Sequence, residues 1–217
     1  DLARRGLTYL CDCSRAEVAR VASAPHVGEE GPRYPGLCRA FGMRERAWKR
    51  PPAVRLRVPD DAVITVHDRF QGEVLQDVAR AVGDFVLKRG DGVYSYQLAV
   101  VVDDLAMRIG EVVRAVDLLD SAPRQVLLAR LLGGTPPSFA HLPLVLAHDG
   151  ARLAKRAHGV PIRNRRDAGK SAASLVAELA WLLGLIDAEA GEITPRELLA
   201  CFDPSRLVGV REVRLPA

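Results

Sequence analysis

Three cysteines near the start of the chain have a spacing that could hold a metal ion. Cys11 and Cys13 lie two residues apart and Cys38 follows 25 residues later, whereas Cys201 stands alone. Zinc prefers four soft or borderline ligands in a tetrahedron, and two thiolates at a strand end can supply one edge of it. In a cytoplasmic chain such a set indicates either a zinc site or unpaired buried thiols, and we expect Cys201 to be an ordinary core thiol.

Three cysteines would leave one position of a zinc tetrahedron to fill. His26 is the obvious fourth ligand by residue type, because imidazole is neutral near pH 7. Tyr34 could bind only through its phenolic oxygen, which is a less usual ligand. The spacing of the residues leaves both choices open.

A basic loop is the second place where the residue types could do chemistry. The stretch "HDGARLAKRAHGVP", residues 148 to 161, carries five side chains that are or can be cationic within eleven residues. Lys155 and Arg156 lie between glycines, after an apolar run that is typical of a strand. Two interpretations compete, a solvated turn and a loop that grips phosphate.

Length, composition and charge limit the class of protein. The chain has 217 residues, of which 48% are hydrophobic, and no apolar run approaches the ~18 residues of a membrane span. We therefore expect a protein with no membrane segment, and since the first residues do not resemble a secretory leader, a cytoplasmic one. The net charge is +4, with cations clustered at 33 to 57 and 152 to 170, so the surface either attracts phosphate backbones or is simply solvated.

The first half of the chain must position these residues through short elements. "DLARR" resembles the last turns of a helix stopped by Gly6, so we expect a missing N-terminal piece. An S-x-x-E capping box at Ser14 predicts a helix over 15 to 22. Alternation over 52 to 70 predicts two strands, and the apolar run of "DFVLKRGDGVYSYQLAVVVDD" fits a strand or the start of a buried helix.

The second half predicts helices around one more strand. Helices are expected over 122 to 132, ending at two glycines, over 171 to 187, and after Thr194. "HLPLVLAHDG" predicts a short buried strand and a turn. Strands that alternate with helices favour an α/β sheet with a helical tail.

Read in order, several of these segments carry a family resemblance. The chain resembles glutamyl-Q tRNA(Asp) synthetases, the short paralogues of class I glutamyl-tRNA synthetases, over about 150 residues. The matching segments are the C-x-C pair, "YPGLCR" at 34 to 39, "DFVLKRGDGVYSYQLAVVVDD" at 84 to 104, "VVRAVDLLDSAPRQ" at 112 to 125, and "HLPLVLAHDGARLAKR" at 141 to 156.

The resemblance implies a fold and three regions. The implied fold is α/β, a partial Rossmann-like class I synthetase catalytic domain with a zinc-binding insertion and a helical C-terminal tail. Residues 1 to 50 would hold the end of the nucleotide-binding half and the insertion, 51 to 160 the catalytic domain, and 161 to 217 the helical segment. The family's HIGH-type signature precedes this region, and no "HxGH" or "HLGN" string occurs in the sequence.

The resemblance also implies a role for the basic loop. "ARLAKR" is similar to the KMSKS-type loop of class I synthetases, whose second lysine contacts the ATP phosphates and falls here on Lys155. A mobile cation suits this task because negative charge builds on the leaving pyrophosphate. Arg152 and Ala154 replace the family's first lysine and its serine, so one positive charge is kept and one hydroxyl is lost.

Two further residues correspond to the family's amino acid site. The tyrosine and the arginine that hold the amino acid fall on Tyr96 and Arg114, with Ala115 in place of the glycine that usually follows the arginine. A guanidinium can clamp a carboxylate at two points, and a phenol adds a directional hydrogen bond. For the metal, the family pattern implies zinc held by Cys11, Cys13, Tyr34 and Cys38.

The function implied is that of an ATP-dependent ligase that activates L-glutamate and transfers it to the queuosine base of tRNA(Asp), acting as a monomer. "DLLDSAPRQ" is similar to the short paralogue, and only 61 residues follow Arg156, too few for an anticodon-binding domain. The alternative is a non-catalytic, zinc-stabilised tRNA-binding relative that has lost the HIGH-containing half.

Overall fold

The computed structural model describes residues 1–21, 33–153, 161–187 and 191–216. The chain divides into two compact units. The first comprises Asp1–Val66, Glu73–Val112 and Asp120–Ser138, and the second His67–Gly72, Val113–Leu119 and Phe139–Ala217. The three regions expected from the resemblance, residues 1 to 50, 51 to 160 and 161 to 217, were defined by function and not by compactness. They stay a prediction.

Strands and helices alternate along the described residues. The strands are β1 Thr8–Cys11, β2 Ala53–Leu56, β3 Val63–Asp68, β4 Gly72–Asp77, β5 Val86–Lys88, β6 Glu111–Ala115, β7 Ser138–Leu142, β8 Leu144–Leu146 and β9 Glu212–Arg214. The helices are α1 Arg15–Val21, α2 Val78–Ala81, α3 Tyr96–Met107, α4 Ala122–Leu131, α5 Ile162–Asp167, α6 Ala172–Leu182 and α7 Pro195–Cys201. Short 3-10 turns lie at Arg39–Phe41, Val116–Ser121 and Pro204–Leu207.

The described strands form small separate sheets. One sheet has the order β1-β2-β5, with antiparallel pairs that set Cys11 opposite Ala53. A second has the order β4-β3-β7-β6, in which β3 and β7 run parallel and pair Asp68 with Phe139. In the third, β8 and β9 run parallel. The expected mixture of helices and strands is confirmed, and antiparallel and parallel pairs both occur among the described strands.

The chain enters β1 through the end of a single helical turn. Gly6 has a φ of 70°, a left-handed conformation that glycine adopts without strain. Its N–H donates to Ala3 O and the Leu7 N–H donates to Leu2 O, at 3.1 and 3.0 Å, which is the hydrogen-bond pattern of a Schellman C-cap. The predicted stop at Gly6 is therefore confirmed, and it fixes the direction in which β1 starts.

The ambiguous apolar run near residue 100 is helical. The Ser95 side chain accepts from the Leu98 N–H at 3.4 Å and so caps the first turn of α3. Within the first unit, Gln97 of this helix donates to Ser121 and accepts from Gln125 of α4, at 3.1 and 2.9 Å. These contacts outweigh the strand preference of three consecutive valines, because helix packing and capping override a weak local propensity.

Each unit has its own buried cluster. In the first unit Tyr9, Cys11, Val18, Tyr34 and Cys38 pack together beside Cys13. In the second unit the core around α6 comprises Phe70, Ala140, Ala180, Leu185 and Leu207. Burying side chains of this size contributes roughly 1.5–3 kcal/mol each for the larger ones.

The C-terminal part is mostly helical, as expected, and one expectation for it is wrong. The predicted helical tail contains α5, α6 and α7, but it also contains β9, where valine between two charged residues gives the period of a strand that pairs with β8. Cys201 is exposed and not a core thiol, because α7 buries none of its residues. Among the described residues, no helix combines the length and apolar character needed to span a membrane.

Candidate functional site

The fold brings the three N-terminal cysteines together. Cys11 ends β1, Cys13 lies two residues further on, and Cys38 precedes the 3-10 turn at Arg39–Phe41. Their sulfur atoms all lie within 4.8 Å of one another, and Cys13 Sγ is 3.7 Å from Cys38 Sγ. The S-x-x-E box at Ser14 and Glu17 starts α1 immediately after Cys13, which holds the C-x-C segment in place.

The Tyr34 hydroxyl completes this group. Its oxygen lies 3.4 Å from Cys11 Sγ and 3.7 Å from Cys13 Sγ. The Cys38 N–H donates to the same oxygen at 2.8 Å. We call Cys11, Cys13, Tyr34 and Cys38 the Cys3Tyr cluster; His26, the other candidate ligand, lies outside the described residues.

The dimensions and donor types of the Cys3Tyr cluster fit a tetrahedral zinc ion. Zn–S bonds of about 2.3 Å separate two sulfur ligands by roughly 3.8 Å, and separate a sulfur from an oxygen ligand by roughly 3.6 Å. The 3.7 Å distance between the sulfur atoms of Cys13 and Cys38 agrees with the first value, and the two distances from Tyr34 Oη agree with the second. These three distances are therefore compatible with a zinc ion bound at the cluster.

The Cys13 thiol and the Tyr34 phenol of the cluster are costly to ionise unless a cation is present. Burial raises the pKa of Cys13 to about 12, and the neighbouring sulfur atoms of Cys11 and Cys38 add to the rise. Burial also raises the pKa of Tyr34, and its hydrogen bonds to the cysteines raise it further. A divalent cation would reverse these shifts, since a metal-bound thiol loses its proton outright.

Two arginines place positive charge beside the cluster. The Arg46 guanidinium lies between the rings of Phe41 and Trp48, at 4.6 and 4.4 Å, and its Nη2 donates to Asp12 at 2.6 Å. The same Nη2 lies 3.7 Å from Cys38 Sγ. The Asp12 pKa is lowered although burial opposes this, because the Lys49 N–H and Arg46 donate to the carboxylate.

Arg55 is the second of these cations. Its guanidinium carbon lies 3.9 Å from the centre of the Tyr34 ring, and Nη1 donates to the Asp84 carbonyl at 2.9 Å. A cation over an aromatic face favours negative charge on that ring system. Arg46 and Arg55 would therefore offset the negative charge by which three thiolates exceed a divalent ion, if such an ion is bound.

Tyr96 lies at the start of α3 in the first unit. It follows the capping residue Ser95 directly and is 53% exposed, so its phenol is not packed in a core. Tyr96 therefore lies at the surface of the first unit. The expectation that Tyr96 shares a hollow with Arg114 and Lys155 stays a prediction.

Arg114 lies on β6 in the second unit and is held by several contacts. Its Nε donates to His141 Nε2 at 2.9 Å, and its Nη2 donates to the Leu118 carbonyl at 3.1 Å. Its guanidinium carbon lies 5.3 Å from the centre of the Phe139 ring. The guanidinium plane is therefore fixed, which is the condition for two-point recognition of a carboxylate.

His141 and Asp68 were not predicted from the sequence. His141 is 0% exposed, and its Nδ1 lies 2.6 Å from Asp68 Oδ2. The carboxylate of Asp68 also accepts from the backbone N–H groups of His141, Phe70 and Gln71. The one available signal was a histidine inside the apolar segment "HLPLVL", because a buried imidazole requires polar partners.

The entry to the basic loop is described, whereas its predicted lysine is not. Ala147 and Ala151 are joined by a backbone hydrogen bond of 2.9 Å around Gly150, and Arg152 forms a bridge with Leu146 of β8. Arg152 thus lies in the first, described part of the loop. Lys155, and with it Ala154, is outside the described residues.

Comparisons with known proteins identify the family. Residues 1–208 match the family model of class I tRNA synthetases (E and Q), catalytic domain. Three relatives, each named glutamyl-Q tRNA(Asp) synthetase, come from Symbiobacterium thermophilum, Nitratidesulfovibrio vulgaris and Nocardia farcinica. The first is 46% identical over all of this chain and 67% of its own length, the second 47% identical over 85% and 58%, and the third 46% identical over 95% and 64%.

Solved structures with the same fold are more distant in sequence. A glutamate tRNA ligase from Elizabethkingia meningosepticum, in complex with its amino acid, has a TM-score of 0.68 at 20% identity, and a glutamate-tRNA synthetase from Elizabethkingia anophelis has 0.72 at 23%. Each alignment covers 97% of this chain and about half of the other chain. The chain spans between about half and two thirds of the length of the curated relatives it matches. The chain belongs to the class I tRNA synthetases (E and Q) and lies within their catalytic domain.

Proposed function

We propose that this chain is part of an enzyme that activates L-glutamate with ATP and transfers it to the queuosine base of tRNA(Asp). One observation carries the proposal, namely 46% identity over the whole chain to a relative named glutamyl-Q tRNA(Asp) synthetase. Membership of a synthetase family gives the reaction class, and the name of the relatives gives the acceptor. As a zinc-stabilised protein of this kind, it would act in the cytoplasm as a monomer.

Arg114 and Tyr96 bind glutamate in this proposal. The guanidinium has two donating edges, and a fixed plane reduces the entropy lost when a carboxylate binds. The hydrogen bonds from Arg114 to His141 and to Leu118 fix that plane. Tyr96, exposed at the first turn of α3, adds the directional hydrogen bond of a phenol.

Lys155 acts on ATP. As the glutamate carboxylate attacks the α-phosphate, the bond to the pyrophosphate lengthens and negative charge accumulates on the leaving group. An ammonium that approaches the pyrophosphate stabilises that charge where it develops, and such contacts typically change rates by about 10²-fold or more. Arg152, anchored to Leu146 at the entry of the loop, keeps positive charge at the place of the family's first lysine.

Zinc bound at the Cys3Tyr cluster serves a structural role in this proposal. The four donors come from segments separated by as many as 27 residues of chain, from Cys11 to Cys38. Bound zinc would crosslink these segments, and its binding free energy would add to the free energy that stabilises the folded chain. The positive charges of Arg46 and Arg55 offset the net negative charge of the donor set.

The proposal is tested by two assays on the protein expressed from its complete reading frame. The first measures exchange of pyrophosphate into ATP, which should depend on L-glutamate and be absent with L-glutamine. The second measures transfer of labelled glutamate to tRNA(Asp) that carries queuosine, with tRNA(Asp) lacking queuosine as the matched control. Exchange without transfer to the modified tRNA would overturn the acceptor.

Lys155→Ala should lower the turnover of the exchange by about 10²-fold. Lys170→Ala is the control, because this lysine is paired with Glu178 and has no role in the proposal. Salt-sensitive tRNA binding with no exchange, unaffected by Lys155→Ala and Arg114→Ala, would instead support the non-catalytic, zinc-stabilised relative.

A further inference from the structure

Three neighbouring strands of one sheet contribute a chain of hydrogen-bonded side chains. The strand order β4-β3-β7-β6 places β7 between β3 and β6. Asp68 ends β3, His141 lies on β7 and Arg114 lies on β6, all within the second unit. The carboxylate, the imidazole and the guanidinium therefore follow one another across the sheet, from a fully buried position outward.

The chemistry of the two outer groups determines the tautomer of the imidazole. A guanidinium carries only donors, so His141 Nε2, which lies 2.9 Å from Arg114 Nε, must accept. The proton of a neutral ring then resides on Nδ1 and is donated to Asp68 Oδ2 at 2.6 Å. Ring stacking on Phe139, at 5.9 Å between centroids and 16° between planes, fixes the orientation of the imidazole.

The charges around the imidazole agree with a neutral ring. Burial lowers the pKa of His141 and the Arg114 charge lowers it further, against the opposing effects of Asp68 and of the Leu118 backbone. Burial would raise the pKa of Asp68, but hydrogen bonds from His141, Gln71 and Phe70 lower it overall. The carboxylate is thus ionised, and the ring remains an acceptor toward Arg114.

We propose that Asp68 and His141 are positioning residues that present the Arg114 guanidinium to the carboxylate of the substrate amino acid. The inference rests on the proposed function of Arg114. His141 Nε2 accepts from Nε of the guanidinium, and the Leu118 carbonyl accepts from Nη2. Asp68 accepts from His141 Nδ1 and so stabilises the tautomer in which Nε2 is an acceptor. A buried histidine that only filled space would not need a carboxylate at Nδ1 together with a guanidinium at Nε2.

A pair of substitutions separates positioning from packing. His141→Gln keeps an acceptor near the place of Nε2, whereas His141→Leu has a similar volume and no acceptor. We expect His141→Leu to raise the KM for glutamate about tenfold or more, with the KM for ATP unchanged, and His141→Gln to stay within about threefold of wild type. Equal KM values for glutamate in the two variants would overturn the proposal. His67→Gln, an exposed histidine on β3, is the control.

A spectroscopic measurement decides the matter even where a variant fails to fold. Nitrogen-15 NMR of the wild-type imidazole at pH 7.5 should show His141 protonated at Nδ1 and unprotonated at Nε2. Protonation at Nε2 would exclude acceptance from Arg114 and overturn the proposal. If wild-type protein shows no glutamate-dependent exchange, the proposed function fails. The spectrum still decides whether His141 accepts the hydrogen bond from Arg114.

Discussion

Tyr34 Oη lies 3.4 Å from Cys11 Sγ, although 23 residues separate the two in the chain. The contact arises because β1 ends at Cys11 while the segment after Tyr34 returns to the same place before the 3-10 turn at Arg39–Phe41. A phenol and a thiol at this distance gain little from each other as neutral groups. The proposed zinc ion would give the two groups a shared partner.

Removing the tyrosine oxygen should weaken metal binding without abolishing it. Tyr34→Phe leaves three sulfur ligands and the ring packing, so we expect zinc to be retained after purification but lost to a chelator at least about tenfold more readily. Zinc content after dialysis against graded chelator concentrations measures this. Cys201→Ser, a change at an exposed cysteine, should leave the zinc content unchanged.

Complete removal of zinc should destabilise the protein more than the replacement of any single ligand residue. We expect chelation to lower the melting temperature and to expose the thiols of Cys11, Cys13 and Cys38 to a thiol reagent, because the metal holds their segments together. An unchanged melting curve in the chelated protein would contradict a structural role for the metal.

The stability of the protein should decrease as the pH falls below about 6.5, in part because of His141. Burial lowers the pKa of His141 in the folded chain, whereas an unfolded histidine has its ordinary value of about 6.5. Below that pH the unfolded chain binds a proton that the folded chain does not, so the free energy of unfolding falls. Urea unfolding at pH 7.5 and 5.5 should show a smaller difference for His141→Gln than for wild type; an identical difference would be inconsistent with this account.

Asp84 should be important for stability although it has no role in the proposed chemistry. Its buried carboxylate accepts from Tyr9 at 2.6 Å, from Arg39 at 2.7 and 3.0 Å, and from the Val58 N–H at 2.9 Å. Asp84→Ala leaves these donors unpaired, and we expect the free energy of unfolding to fall by about 2–3 kcal/mol. Urea denaturation is the measurement.

An exposed ion pair is the matched control for Asp84. Asp187 contacts Arg206 at 2.6 Å, but its side chain is 86% exposed. Solvent screens such a pair, so Asp187→Asn should leave the free energy of unfolding nearly unchanged. Equal losses in the two variants would show that burial does not set the contribution of Asp84.

Gly90 should not tolerate a side chain. A Cβ atom at Gly90 would lie 2.2 Å from the Pro51 carbonyl oxygen, which is backbone and does not rotate away. Gly90→Ala should therefore destabilise the first unit by roughly 1–3 kcal/mol. A Cβ at Gly110 meets nothing within 4 Å, so Gly110→Ala should be neutral or slightly stabilising in the same denaturation experiment.

Local sequence signals predicted several helix starts and the stop at Gly6. The Ser14–Glu17 and Thr194–Glu197 capping boxes are confirmed, and so is the stop at Gly6. These features depend on hydrogen bonds within four or five residues, which a sequence shows directly. β9 was missed because a three-residue strand in a charged segment becomes a strand only when β8 is beside it.

The sequence by itself determined the family, the cysteine spacing and the candidate positions Tyr96, Arg114 and Lys155, because these are properties of residue order. Tertiary structure alone decided that Tyr34 reaches the sulfur atoms and that Cys201 stays at the surface. It also decided that His141 stands between Asp68 and Arg114. The physical reason is that strand order and packing decide such features. The contacts of Tyr34 with the sulfur atoms and those of His141 join residues at least 21 positions apart, and the exposure of Cys201 depends on which residues its helix buries.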